Sequence, residues 1–96
     1  MSEKFDQSII DLKRALEFEG KALQDRFFFQ GIAKSFAVCF EYAWKECKRR
    51  VQAQGITAYS PKVSLKEAGR IGILHDLEQW LHFLKIRNLA GHDLLG

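Results

Sequence analysis

Proline occurs once in the chain, as Pro61, and no stretch is of low complexity. An all-β domain of this length needs many turns, and the scarcity of turn residues argues against that class. No apolar run reaches the ~18 residues that a membrane span requires; Lys34 interrupts the best candidate, between Ile32 and Phe40. The first residues, Met1-Ser2-Glu3-Lys4-Phe5-Asp6, hold no apolar segment of signal-peptide type. A cytoplasmic protein without membrane contact is expected. Cysteine is limited to Cys39 and Cys47. Eight positions apart on one helix, they stand about 12 Å apart along the axis at ~1.5 Å per residue, too far for a disulfide, so both should be reduced core thiols. There is no glycine-rich phosphate loop, since Gly69-x-x-Gly72 is too short and falls between helices. Neither sign of charge dominates. Fifteen Lys and Arg against twelve Asp and Glu leave +3, which permits nucleic-acid binding without demanding it.

What is present is 96 residues, 47% hydrophobic and 28% charged, a globular balance that fits one domain over residues 1–96. Ile9, Leu12, Leu16 and Leu23, with Asp11, Lys13, Arg14 and Glu17 between them, predict an amphipathic helix from about Phe5 to Leu23, weakened at Gly20. A second helix is predicted from Asp25, as N-cap, to Gln54, with Gly55 just past its end. Along it Phe29, Ala33, Phe36, Phe40, Ala43, Cys47 and Arg50 step by four and three, and Phe28, Ile32, Trp44 and Val51 widen the apolar face. Ser60-Pro61 opens a short third helix to about Glu67 or Ala68. Asp76 caps a fourth, with Gln79 three residues on and Leu77, Trp80, Leu81 and Leu84 as its stripe, running at least to Leu89. The expected fold is all-α, an antiparallel up-and-down four-helix bundle. Phe27, Phe83, Ile86, Leu94 and Leu95 do not all fit one buried stripe, which suggests self-association.

The run Arg87-Asn88-Leu89-Ala90-Gly91-His92 places a permanent cation, an amide and an imidazole within six residues. RNA cleavage without a metal needs such groups. A base takes the proton of the ribose 2′-OH, and an acid protonates the departing 5′-oxygen. Histidine can do either near neutral pH. A guanidinium can hold the phosphate and stabilise its developing charge. Attack by the 2′-OH would confine such an enzyme to RNA. On a straight helix Asn88 and His92 sit about 40° apart, whereas Arg87 and His92 sit about 140° apart. Arg87 and His92 share a site if the helix loosens or ends near Gly91, if the arginine reaches around, or if a two-fold dimer brings two copies of the run together; the expectation is a dimer with local loosening at Gly91. The plainer alternative is a histidine and an arginine at a helix end, serving the dipole and the solvent.

Other groupings point to chemistry less strongly. His75, Glu78 and His82 share a helical face but offer three ligands at most, so no metal is assigned, and no cofactor is expected. The run Phe27-Phe28-Phe29, with Phe36, Phe40 and Trp44, could stack bases, though helical spacing favours a core or dimer seam. Lys45, Lys48, Arg49 and Arg50 form a basic patch that suits a helix end, an RNA backbone or an acidic partner surface equally.

Arg87-Asn88-x-x-x-His92 resembles the Arg-x4–6-His signature of the HEPN superfamily. In order along the chain, Phe40-Glu41-Tyr42-Ala43-Trp44-Lys45, Ala68-Gly69-Arg70-Ile71-Gly72-Ile73-Leu74, Glu78-Gln79-Trp80-Leu81 and Arg87-Asn88-Leu89 resemble its branch of nucleotidyltransferase substrate-binding proteins. The resemblance covers roughly residues 5–92. It implies a homodimeric HEPN-like bundle whose partner is a small minimal nucleotidyltransferase, in a toxin–antitoxin-like pair. It assigns catalysis to Arg87 and His92, with Asn88 as the polar residue after the arginine. It also implies a supporting Glu-x3-Lys/Arg pair that contacts RNA or nucleotide. Glu41 and Lys45 match that spacing, and so do Glu46 and Arg50. Two features depart from the family. Many toxin-type members carry a modifiable tyrosine two residues after the histidine, where this chain has Leu94; the family also continues into a further helix, so a bundle short of a fifth helix is expected. Two functions follow from the resemblance: a metal-independent endoribonuclease, or a non-catalytic substrate-binding or scaffold subunit of the nucleotidyltransferase. A helical interaction module without nucleotide chemistry is the third reading.

Overall fold

Three acidic or hydroxyl side chains mark where helices begin. Asp25 Oδ1 accepts from the Phe27 amide at 2.8 Å, Ser60 Oγ from the Val63 amide at 3.2 Å, and Asp76 Oδ1 from the Gln79 amide at 3.2 Å. Each satisfies an amide that the first helical turn leaves without a carbonyl partner. The structure is a computed structural model that describes residues 3–93, with side chains from Glu3 to Leu89. Its helices are α1 (Glu3–Leu16), α2 (Glu19–Ala22), α3 (Arg26–Ala53), α4 (Pro61–Arg70) and α5 (Leu77–Asp93), and all regular structure among the described residues is helical.

Helix α3 is the spine, and each of the other helices packs against it; α5 packs on α4 as well. At ~1.5 Å per residue its 28 residues span about 42 Å, nearly the whole 46 Å length of the molecule. The helices run up and down. Ser8 and Asp11 of α1 lie opposite Lys34, Ser35 and Val38 of α3, and Lys62 at the start of α4 lies opposite Lys85 and Asn88 late in α5. Gly55, at φ +81°, turns the chain out of α3, and Ser60 with Pro61 starts it back along the same helix.

The core is concentrated on the C-terminal half of α3. Phe40, Trp44, Cys47 and Val51 pack with Ala58, with Leu65 and Ala68 of α4 and with Leu84 of α5, all buried. Gly69 lets α5 approach: a Cβ there would stand 3.1 Å from Leu77 Cδ2. Both cysteines are free, and burial pushes the Cys47 thiol up from its ordinary pKa.

Four expectations are corrected. The first helix does not reach Leu23. It closes at Leu16 in a turn where the Glu17 and Phe18 amides bond to the Arg14 and Ala15 carbonyls, and the Phe18 ring then stacks on Phe28 of α3 at 5.6 Å, which fixes the bend. Leu23 is left 90% exposed. The third helix runs on to Arg70, because the Glu67–Arg70 ion pair at 2.7 Å supports its last turn. The heptad-like seam of α3 is buried only from Phe40 to Cys47. Phe29 and Arg50 at its ends are exposed: Phe29 precedes the turns that α4 and α5 cover, and Arg50 turns along its own helix to Glu46. Finally, α5 is unbroken through Gly91, so the loosening expected there is absent from the backbone.

Candidate functional site

The stripe of α5 that faces α3 is set by aromatic packing. Trp80 and Phe83 contact each other edge to face at 5.7 Å; Phe83 meets Phe36 at 5.8 Å, and Trp80 meets Phe40 at 6.1 Å. One turn after Phe83 the same stripe carries Arg87, and one residue after Phe40 on α3 stands Glu41. The rings therefore bring a cation and an anion from distant parts of the chain to one place. Arg87 Nη2 donates to Glu41 Oε2 at 2.5 Å. Lys45 Nζ lies 3.7 Å from the other carboxylate oxygen, Oε1, one helical turn along α3. Arg87 Nη1 donates to Asn88 Oδ1 at 3.0 Å.

Four of the five predicted site residues, Glu41, Lys45, Arg87 and Asn88, thus form one connected polar cluster. It is neither sealed nor fully solvated: the Arg87 side chain is 29% exposed and that of Glu41 35%. A guanidinium has five N–H donors. Two are directed at Glu41 and Asn88, so donors remain with which it can clamp an incoming anion while its orientation is fixed from behind. The fifth residue, His92, belongs to the last turn of α5; its side chain lies outside the described residues. Leu94 lies outside them as well.

The structure separates the two candidate Glu-x3-Lys/Arg pairs. Glu46 is engaged on its own helix, with Arg49 at 2.5 Å and Arg50 at 3.0 Å. The Arg49 hydrogen bond, opposed by partial burial and helped by Arg50, holds the Glu46 carboxyl at about 2. The same contact raises the Arg49 guanidinium above its ordinary value. Glu41, in contrast, reaches across to α5. The basic patch is dispersed accordingly: Arg49 and Arg50 serve Glu46, Lys45 serves Glu41, and the Lys48 ammonium sits 6.0 Å from the centre of the Trp44 ring.

His75, Glu78 and His82 do not converge; among the described residues no three His, Cys, Asp or Glu side chains gather as metal ligands. No helix there is long and apolar enough to cross a membrane. Phe27 is 75% exposed, while Phe36 and Phe40 are committed to ring contacts with α5. With Leu12, Leu16, Phe29 and Ile32, those two rings line an apolar groove of about 480 Å³ beside α5. Lys62 and Lys85, which belong to no motif in the sequence, line a second groove together with Asn88. The i, i+3 spacing of Lys85 and Asn88 was the available signal.

Comparison with known proteins bears on the same residues. The family model described as nucleotidyltransferase substrate binding protein like matches residues 2–93. The probable ribonuclease HepT of Haemophilus influenzae is 26% identical over 110 residues, an alignment that takes in 96% of this chain and 75% of that protein. No solved structure matches. With a family model spanning nearly its whole length, a ribonuclease-named relative and an all-helical bundle, the chain belongs to the nucleotidyltransferase substrate binding protein like family, the HEPN branch that its ordered motifs resemble.

Proposed function

We propose that the chain is the HEPN-type component of a nucleotidyltransferase pair of toxin–antitoxin kind and works in the cytoplasm as a metal-independent endoribonuclease. The observation that carries this reading is the Arg87–Glu41 contact between α5 and α3, which holds a permanent cation, with donors to spare, at a solvent-reachable surface. The name of the Haemophilus relative supports it.

In this mechanism Arg87 clamps the scissile phosphate. Glu41 and Asn88 fix the guanidinium plane, and Lys45 adds positive charge beside it. His92 takes the proton of the 2′-OH as that oxygen bonds to phosphorus. The P–O5′ bond breaks, and the 5′-oxygen leaves with a proton from the imidazolium formed in the first step or from its counterpart in a second copy. The products are a 2′,3′-cyclic phosphate and a 5′-hydroxyl.

Because α5 continues through Gly91, positions 87 and 92 stay about 140° apart within one chain. A homodimer lets the Arg87 of one copy and the His92 of the other address one phosphate. The 480 Å³ apolar groove between α1, α3 and α5 supplies a face for such pairing.

The test is incubation of purified protein with RNA in excess chelator. Cyclic-phosphate products should appear with the wild type and vanish with Arg87→Ala and with His92→Ala. A chain that never cuts RNA yet still binds its nucleotidyltransferase as His92→Ala would instead be the non-catalytic substrate-binding subunit.

A further inference from the structure

Helix α5 presents two polar faces, and only one of them is the Arg87 face. Trp80, Phe83 and Arg87 point at α3. Leu81, Leu84, Lys85, Asn88 and Leu89 line a groove against α4, where Lys62 faces them; its volume is about 420 Å³, within the ~300–1,000 Å³ of small-molecule pockets. At ~100° per residue, positions 81, 85, 88 and 92 fall within about 60° of one another, so position 92 belongs to the α4 side of the helix.

We propose that this α4–α5 groove is a subsite for single-stranded RNA, in which Lys62 and Lys85 hold phosphates next to the scissile one and the leucines underlie a ribose or base. The inference rests on the RNA-cleaving reading above and deepens it. Three observations carry it. Arg70 and Arg87, on the same two helices, are each held by a glutamate, whereas Lys62 and Lys85 have no ion-pair partner among the described residues. Two unpaired ammonium groups over an apolar floor suit an anionic strand with flat apolar bases. Asn88 belongs to both faces: its Oδ1 accepts from Arg87, which leaves its amide N–H groups available to a ligand in the groove. The groove therefore adjoins the Arg87 cluster through one shared residue.

The experiment is fluorescence anisotropy of a labelled single-stranded RNA 12-mer against the full chain across a salt series. Lys62→Ala with Lys85→Ala should weaken binding about tenfold and lower the salt slope by about 1.4, at ~0.7 per contacted phosphate on a single strand. Lys62→Arg with Lys85→Arg should bind as wild type. A charge-matched change on α1, Lys13→Ala with Arg14→Ala, should bind as wild type too. If the wild type binds RNA and the Lys62/Lys85 double alanine binds equally well, the groove is not an RNA subsite, while the RNA reading stands. If the wild type binds no RNA, both fall. If the double alanine keeps RNA but loses the nucleotidyltransferase, the groove is a docking surface for that protein, and the proposal is overturned. All the lysines changed are exposed, so circular dichroism should show unaltered folding.

Discussion

Arg87 Nη2 and Glu41 Oε2 meet at 2.5 Å across 46 residues of sequence, and that contact joins the last helix to the centre of the longest one. It is partly solvated on both sides, so it adds little stability, and what it supplies is a fixed direction for the guanidinium. An ion pair about one-third exposed contributes at most ~1 kcal/mol after screening and side-chain entropy. A guanidinium displaced by an ångström, however, misaligns with a phosphate and costs orders of magnitude in rate.

Glu41→Gln should therefore separate the two effects. Stability by urea unfolding should fall by less than ~1 kcal/mol. RNA cleavage should fall at least tenfold, with a smaller change in RNA binding. Cleavage equal to wild type would remove Glu41 from the site.

Acid should weaken the molecule through Glu46. Its carboxyl is depressed in the folded state from 4.5 to about 2, by the Arg49 hydrogen bond first and by Arg50 after it. A depressed acid stabilises the fold fully above its unfolded value, and this stabilisation is lost as pH falls from about 4.5 through about 2. Urea midpoints measured across that window should drop more steeply for wild type than for Glu46→Gln.

Leu65 has no exposed surface and stands amid Phe40, Trp44, Val51 and Leu84. Leu65→Ala should cost ~2–5 kcal/mol. In a domain of this size each kcal/mol lowers the melting temperature by about 4–8 °C. A loss under 1 kcal/mol in calorimetry would mean that the α3–α4 contact is not the core.

Ser64 beside it is equally buried, and its hydroxyl has no hydrogen-bond partner among the described residues. Ser64→Ala removes an unpaired polar group and improves helix propensity. It should raise stability by several tenths of a kcal/mol to ~1 kcal/mol, read as a higher melting temperature; a lower one would show that the hydroxyl is bonded in solution.

Helix boundaries were legible where a short side chain completes the first turn. Asp25, Ser60 and Asp76 each cap the helix that their spacing announced, and Gly55 ends α3 because its φ of +81° suits no other residue as well. Burial was less legible. Periodicity shows which side of α3 is apolar, but not how far along it partners extend, so Phe29 sits on the apolar seam and yet lies outward. The α1 break was hidden too, because nothing in Glu17-Phe18 forbids a helix; the stacking of Phe18 on Phe28 decided it.

The site divides in the same way. The sequence alone determined which candidate groups stand together, since Arg87, Asn88 and His92 fall within six residues and helical spacing fixes their angles about one axis. It could not choose between Glu41 and Glu46, because both offer the same i, i+4 spacing to a basic residue. Tertiary packing made that choice: the rings of Trp80 and Phe83 seat α5 on Phe36 and Phe40, and Glu41, not Glu46, then meets Arg87. A local pattern sets positions on one helix, whereas the partner across the interface depends on where two helices come to rest against each other.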